Sequence, residues 1–132
     1  MIDGSTRVFA VLGDPVAHSL SPAMHNAAFR VLGLRAVYVA LRVDSGTVPA
    51  LMRGLSHAGG GGNVTIPHKE LAAQAVDRRE PAVEQLAACN AFWGEDGAIV
   101  GDNTDVPGLL AALDHLEAPP GNWMLVGTGG GA

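Results

Sequence analysis

The chain has 132 residues, of which 48% are hydrophobic and 16% charged, so it has the apolar content of one compact domain and is not expected to be disordered. Its formal net charge of −5 combines 13 acidic with 8 basic side chains, and the basic ones form no cluster, so neither nucleic acid nor a membrane is an expected partner. The single cysteine excludes an internal disulfide, and residues 1–7 lack the apolar core of a signal peptide. We therefore expect a cytoplasmic protein.

The first half of the chain predicts alternating strands and helices. The apolar run 8–12 stops at a Gly-Asp-Pro sequence, which is typical of a strand buried on both faces. A helix is expected to begin with Ser21 as its N-cap and Pro22 at its first position. The other elements expected in this half are a strand at 36–43, a helix at 48–57, a strand at 62–66 and a helix at 69–76.

The second half predicts a less regular order. Its expected elements are a short helix at 82–86, a hairpin of strands 88–93 and 98–101, a helix at 105–116 and a strand at 122–126. Taken together, the alternation favours an α/β fold with three layers, in which helices cover both faces of a mostly parallel sheet.

The last six residues follow the expected strand at 122–126 and fit the pattern Gly-x-Gly-x-x-Gly/Ala. In dinucleotide-binding folds such glycines let the backbone approach a pyrophosphate, which the next helix N-terminus holds. We expect residues 118–132 to be a linker, the first strand and the glycine-rich loop of an incomplete Rossmann domain; a glycine-rich tail without a ligand is the alternative. The candidate cofactor-binding residues are Gly127, Thr128, Gly129, Gly130 and Gly131.

Lys69 and Asp105 are the candidate catalytic residues. Lys69 is the only lysine of the chain, and both residues stand where a predicted strand gives way to a helix. Since the carboxyl ends of parallel strands meet at one edge of a sheet, we expect the two side chains to form a coupled pair that donates and accepts a proton. The alternatives are a solvated lysine and an aspartate that only caps its helix.

Hydroxyl and amide side chains near the same strand ends are the candidate binding residues. Ser19 and Ser21 follow the first strand, and two hydroxyls beside a helix N-terminus suit a carboxylate, although helix capping alone also explains Ser21. Asn63 and Thr65 precede the lysine. Asn90 lies in an apolar segment, where its amide is either a structural bridge or a ligand contact. This set predicts a site for an acidic, polyhydroxylated ligand.

The histidines and the cysteine have simpler interpretations. The five histidines lack the spacing of metal ligands, so we expect no metal site. Cys89 lies in an apolar run with no cation beside it, so we expect a small core residue rather than a nucleophile.

Three segments resemble the signature sequences of the shikimate dehydrogenases. They are 13–22 (GDPVAHSLSP), 63–70 (NVTIPHKE) and 101–105 (GDNTD), in this order. The resemblance implies a shikimate-binding catalytic domain over 1–117, followed by an NADP-binding Rossmann domain. It also implies reversible, NADP-dependent oxidation of shikimate to 3-dehydroshikimate in aromatic amino acid biosynthesis. Because the cofactor domain is incomplete here, these 132 residues are not expected to catalyse hydride transfer alone.

The resemblance also implies a role for each candidate residue. Two would hold the shikimate carboxylate and four would surround its ring hydroxyls: Ser19 and Ser21 in the first group, and Thr65, Lys69, Asn90 and Asp105 in the second. Lys69 and Asp105 would be the catalytic pair.

Two positions depart from the family's pattern. His68 stands where an apolar or aromatic residue is usual, and Ala91 stands where a threonine is usual, so contacts near the ring are expected to differ. Several alternatives stay open at this point: quinate or aminoshikimate as the substrate, NAD as the cofactor, a homodimer, and a cofactor-free module that binds shikimate-like acids.

Overall fold

The computed structural model describes residues 2–124 and 126 of the chain. Within these residues the chain forms six strands and five helices. In chain order they are β1 (Arg7–Gly13), α1 (Ser21–Val31), β2 (Ala36–Arg42), α2 (Val48–His57), β3 (Gly61–Val64), α3 (Lys69–Ala75), β4 (Arg78–Arg79), α4 (Pro81–Leu86), β5 (Ala91–Glu95), β6 (Ala98–Asp102) and α5 (Asp105–His115). The sequence did not predict β4, because a strand of two residues has no alternation to detect.

The six strands described belong to one sheet, in the order β2-β1-β3-β5-β6-β4. β1 is parallel to β2 and β3, and β4 is parallel to β6, whereas β5 is antiparallel to β3 and β6. Five of these strands therefore run in one direction, which confirms the expected mostly parallel sheet. The carboxyl ends of these five and the amino end of β5 lie at the same edge, which we call the carboxyl edge.

Helices cover both faces of the sheet. Side chains alternate along β1, so Leu12 lies in one core and Val11 in the other. The larger core includes Met52 of α2, and the smaller core is packed against Phe29 of α1. Leu12 and Met52 are fully buried, and each contributes about 1.5–3 kcal/mol through the hydrophobic effect. The expected three-layer α/β architecture is confirmed.

The glycine-rich segment before and within β3 allows its backbone to approach β1 closely. A Cβ atom on Gly60 would lie 1.9 Å from the carbonyl oxygen of Val8, and one on Gly62 would lie 2.0 Å from that of Ala10. Relief of either clash would require backbone movement, which would disturb the pairing of the two strands. The glycines thus bring the loop after β3 beside the loop after β1.

The end of the described chain adds no element to the sheet. Residues 122–124 and 126 have no strand pairing, and residue 125 lies outside the described residues, so the strand expected at 122–126 stays a prediction. In the part of the chain that the structure describes, no helix has the length and apolar character needed to cross a bilayer.

Candidate active site

Four of the connections at the carboxyl edge of the sheet are relevant to the candidate residues. They are 14–20 between β1 and α1, 65–68 between β3 and α3, 103–104 between β6 and α5, and 87–90 before β5. The first two are joined directly, because the Asp14 N–H donates to the Ile66 carbonyl oxygen over 3.1 Å. The candidate residues between positions 19 and 105 lie in these connections or at the first residue of the helix that follows, except Asn63, which lies within β3.

Lys69 and Asp105 form an ion pair at this edge. Each is the first residue of its helix, and Lys69 Nζ donates to Asp105 Oδ2 over 2.6 Å. The lysine side chain is 17% exposed and the aspartate side chain 40%. A cation at a helix N-terminus opposes the helix dipole, so the neighbouring carboxylate is what stabilises the ammonium there. The contact expected from the sequence is confirmed, and the lysine is not a solvated surface residue.

Asn90 holds the Asp105 carboxylate from a second side. Its Nδ2 donates to Asp105 Oδ1 over 2.9 Å and to Thr104 Oγ1 over 3.0 Å, while its Oδ1 accepts from the Thr104 N–H over 2.9 Å. Asn90 is buried, so its amide needs these partners. It is therefore a structural bridge within the site, and its contact with a ligand stays a prediction.

Asn103 is a site residue that the sequence analysis missed. It is 1% exposed, its Oδ1 accepts from the Asp105 N–H over 3.0 Å, and its Nδ2 donates to the Ala88 carbonyl oxygen over 2.9 Å. These contacts fix the first turn of α5 and, with it, the position of Asp105. An asparagine just before a helix is a capping signal, and that signal was available in the sequence.

Thr65 lies directly after β3, four residues before Lys69. Its N–H donates to the Leu12 carbonyl oxygen over 2.9 Å, and its own carbonyl oxygen accepts from the His68 N–H over 2.9 Å. Its methyl group occupies the space beside Gly13, where a Cβ atom would lie 2.4 Å from Thr65 Cγ2. The absence of a side chain at Gly13 therefore lets Thr65 take its observed position.

Ser19 lies in the neighbouring loop and Ser21 at the start of α1, and the expectation that Ser21 is an N-cap is wrong. Leu20 has helical dihedral angles and its carbonyl oxygen accepts the first helical hydrogen bond, so Leu20 is the N-cap and Ser21 the first helical residue. Ser19 Oγ accepts from the Ser21 N–H over 3.3 Å. Among the described residues, no hydrogen bond joins either serine to the ion pair.

Two buried residues beside the ion pair have defined surroundings. His68 Nε2 lies 2.8 Å from the Val43 carbonyl oxygen, so the ring connects the start of α3 to the residue after β2. A carbonyl oxygen only accepts, so this nitrogen carries a hydrogen. Cys89 is fully buried, and this burial raises the pKa of its thiol to about 11. The expectation of a small core residue is confirmed.

The cofactor-binding residues expected from the glycine-rich pattern are not among the described residues. They are Gly127, Thr128, Gly129, Gly130 and Gly131. The described site contains an ammonium and a carboxylate in contact, with amide and hydroxyl groups around them. Such a set suits the binding of a polar ligand and the transfer of a proton to or from one of its oxygens.

The fold and the site together define a class of protein. It is the class of α/β domains that carry a lysine–aspartate pair at the carboxyl edge of the sheet, the edge at which such folds bind small ligands, and a pair of this kind can donate and accept a proton. Residues 11–92 match the family model described as the shikimate dehydrogenase substrate binding domain. The chain belongs to this family of substrate-binding domains.

Individual relatives agree with this assignment. The chain is 46% identical over 134 residues to a shikimate dehydrogenase (NADP(+)) of Rubrobacter xylanophilus and 41% identical over 133 residues to one of Methanothermobacter thermautotrophicus. These alignments cover 99% and 100% of this chain but 47% of each relative, so the chain spans about half the length of the curated relatives it matches.

Solved structures give the same picture. Thermus thermophilus shikimate 5-dehydrogenase in complex with shikimate superposes with a TM-score of 0.87 at 39% identity, over 96% of this chain and 49% of that one. The same enzyme in complex with NADP(H) and shikimate superposes with a TM-score of 0.78 at 40% identity, over 86% of this chain and 44% of that one.

Proposed function

We propose that this chain is the shikimate-binding domain of an NADP-dependent shikimate dehydrogenase. The observation that carries the proposal is the contact of Lys69, Asp105 and Asn90 at the carboxyl edge, in a domain whose relatives carry that enzyme's name. Residues 1–117 supply the substrate side of the site. Residues 118–132 belong to the linker and the start of a Rossmann domain that binds the cofactor.

The substrate's carboxylate and hydroxyls match different parts of the site. Ser19 and Ser21 present two hydroxyls beside the first turn of α1, where an anion also benefits from the helix dipole. Thr65 and Asn90, in the connection before α3 and the one before β5, present a hydroxyl and an amide to the ring hydroxyls. The Thr65 N–H donates to the Leu12 carbonyl oxygen of β1 and the Asn90 N–H to the Asp102 carbonyl oxygen of β6, so this part of the site is formed before the substrate arrives.

In this proposal, Lys69 and Asp105 accept the proton of the reacting hydroxyl during oxidation and return it during reduction. Oxidation of the secondary alcohol transfers a hydride from its carbon to the nicotinamide and a proton from its oxygen to the pair, which leaves the ketone. The ammonium of Lys69 stabilises negative charge as it develops on the oxygen, and Asp105 compensates the charge of the lysine. Asn90 keeps one carboxylate oxygen occupied, so the other faces the lysine.

NADP supplies the hydride acceptor of this reaction. Its expected contacts, the glycines of 127–131, lie outside the described residues. We assign NADP rather than NAD because relatives are named for NADP and two solved relatives contain it, whereas one solved relative contains NAD. The place in aromatic amino acid biosynthesis follows from the family resemblance, and the cytoplasmic location from the single cysteine and the composition of residues 1–7. A homodimer is a further expectation, which light scattering of the purified protein tests.

Two experiments test the proposed function. Titration calorimetry of this chain with shikimate should give saturable binding, and quinate and aminoshikimate should bind more weakly. Turnover is measured in a fusion protein, which we call the joined protein. In it, this chain is followed by the second half of the Rubrobacter xylanophilus enzyme, to which the chain is 46% identical.

The joined protein should reduce NADP with shikimate as the substrate, and more slowly with NAD. Saturable binding without turnover in a folded joined protein would favour a cofactor-free binding module. Absence of shikimate binding by a folded chain would refute the proposal.

A further inference from the structure

Tyr38 places a buried hydroxyl beside the candidate site, although it lies on β2, two strands away from β3. Tyr38 is 3% exposed, and its hydroxyl donates to Asn63 Oδ1 over 2.6 Å. The strand β1 lies between β2 and β3, so the Tyr38 side chain reaches Asn63 across β1. It does so on the face of the sheet where it packs in the same small core as Val11. No part of the mechanism above uses this phenol.

The chemistry of the partners fixes the direction of these hydrogen bonds. Asn63 Nδ2 donates to the Asn90 carbonyl oxygen over 3.1 Å, and a carbonyl oxygen can only accept. The amide nitrogen of Asn63 must therefore face Asn90, its oxygen must face Tyr38, and the phenol must be the donor. Burial raises the pKa of Tyr38 to about 12, so the hydroxyl keeps its proton at neutral pH.

The same line of contacts continues to the ion pair. The Asn90 carbonyl oxygen accepts both from Asn63 Nδ2 and from the Val64 N–H, which together fix its peptide group. The Asn90 side chain then holds Asp105 Oδ1, and Asp105 Oδ2 meets Lys69 Nζ. Four hydrogen bonds, together with the covalent frame of Asn63, Asn90 and Asp105, thus connect the phenol to the ammonium.

At its other end, Tyr38 is held by helix α1. Asn26 Oδ1 accepts from the Tyr38 N–H over 2.9 Å, and Asn26 Nδ2 donates to the Tyr38 carbonyl oxygen over 2.8 Å. The ring of His25 stacks on the phenol ring with centroids 4.3 Å apart. The helix that begins at Ser21 is therefore connected, through Tyr38, to the residues that hold the ion pair.

We propose that Tyr38 is a positioning residue of this site: its hydroxyl fixes the amide of Asn63 and, through the peptide of Asn90, the orientation of the Asp105 carboxylate toward Lys69. The proposal rests on the proposed function for its kinetic consequence only. Its structural content concerns the chain itself and is testable without turnover.

The first test is Tyr38→Phe in this chain, which removes the hydroxyl and keeps the ring. The matched control is Phe9→Leu, a packing change in the same small core that removes none of these hydrogen bonds. In NMR spectra of the folded chains, Tyr38→Phe should shift the side-chain amide signals of Asn63 and Asn90 and the carboxyl carbon signal of Asp105. Phe9→Leu should leave the Asn90 and Asp105 signals in place.

The second test measures turnover in the joined protein. Tyr38→Phe should lower kcat about tenfold and change the KM for shikimate less than about twofold, since small displacements of catalytic groups reduce the rate more than the binding. Phe9→Leu should change neither by more than about twofold.

Unchanged Asn90 and Asp105 signals, or shifts equal to those of the control, would overturn the positioning role whether or not the joined protein is active. An active joined protein with wild-type kcat in Tyr38→Phe would overturn it while leaving the proposed function intact. An inactive joined protein counts against the proposed function alone, and the NMR comparison then decides the role of Tyr38.

Discussion

Replacement of Lys69 by methionine removes the ammonium from the ion pair and keeps most of the side chain's apolar stem. The change leaves Asp105 without its contact at Oδ2, while Oδ1 keeps its hydrogen bond to Asn90. The aspartate side chain is 40% exposed, so water can replace the lost donor. We therefore expect Lys69→Met to fold normally.

The structure sets the size of the two expected effects. A partly exposed ion pair contributes about 0–1 kcal/mol to stability, and removal of a cation from a helix N-terminus recovers part of that loss. Loss of acid–base assistance, by contrast, lowers rates by about 10²- to 10⁴-fold. The variant should thus lose activity far out of proportion to its loss of stability.

The assay is steady-state formation of NADPH from shikimate by the joined protein, with thermal melting as the control for folding. We expect kcat to fall by about 10²-fold or more with a modest change in KM, because the ammonium acts on charge that develops only in the transition state. A raised KM with kcat unchanged would refute the reasoning and assign Lys69 to substrate binding alone.

Three further predictions follow from other parts of the structure. Replacement of both Ser19 and Ser21 by alanine should weaken shikimate binding by about 1–3 kcal/mol per lost contact in titration calorimetry, and retained affinity in a folded variant would reject the carboxylate assignment. Gly13→Ala should weaken shikimate binding by about 1 kcal/mol, which is several-fold in the dissociation constant. The new Cβ would lie 2.4 Å from Thr65 Cγ2, so the Thr65 side chain would have to turn away. Unchanged affinity would mean that Thr65 is not a ligand contact. Burial raises the pKa of Cys89 from its ordinary value of 9.0 to about 11 in the folded state. The protonated thiol therefore contributes fully to the free energy of unfolding below pH 9, and this contribution is lost as the pH rises toward 11. The loss is about 3 kcal/mol at most. Urea unfolding at about pH 8 and about pH 10.5, compared between the parent and Cys89→Ala, measures this loss, because the raised pKa of Tyr38 contributes equally in both proteins. An equal fall in stability in the two proteins would contradict the prediction.

The parts of the candidate site that depend on local sequence patterns could be predicted. Lys69 and Asp105 each follow a strand and open a helix, so their meeting at one edge followed from a mostly parallel sheet. Asn103 carried a readable capping signal as well.

Other contacts depend on strand order or on dihedral angles, which local patterns do not encode. The bond between Tyr38 and Asn63 requires β1 to lie between β2 and β3, and nothing in either segment specifies that order. The N-cap at Leu20 was missed because the chain enters the helix one residue before the serine that carries the usual capping side chain. The antiparallel direction of β5, by contrast, followed from the expected hairpin, and it is this direction that brings Asn90 to the carboxyl edge.

A double-mutant cycle on Lys69 and Asp105 tests the central claim most directly. The kcat of the joined protein is measured for the parent, Lys69→Met, Asp105→Asn and the double variant, each with a melting curve to verify folding. The 2.6 Å contact predicts that the two residues act as one unit, so each single change should lower kcat by about 10²-fold or more and the double variant should lose much less than the product of the two. Fully multiplicative losses would show two independent contributions and would remove the coupled pair from the mechanism.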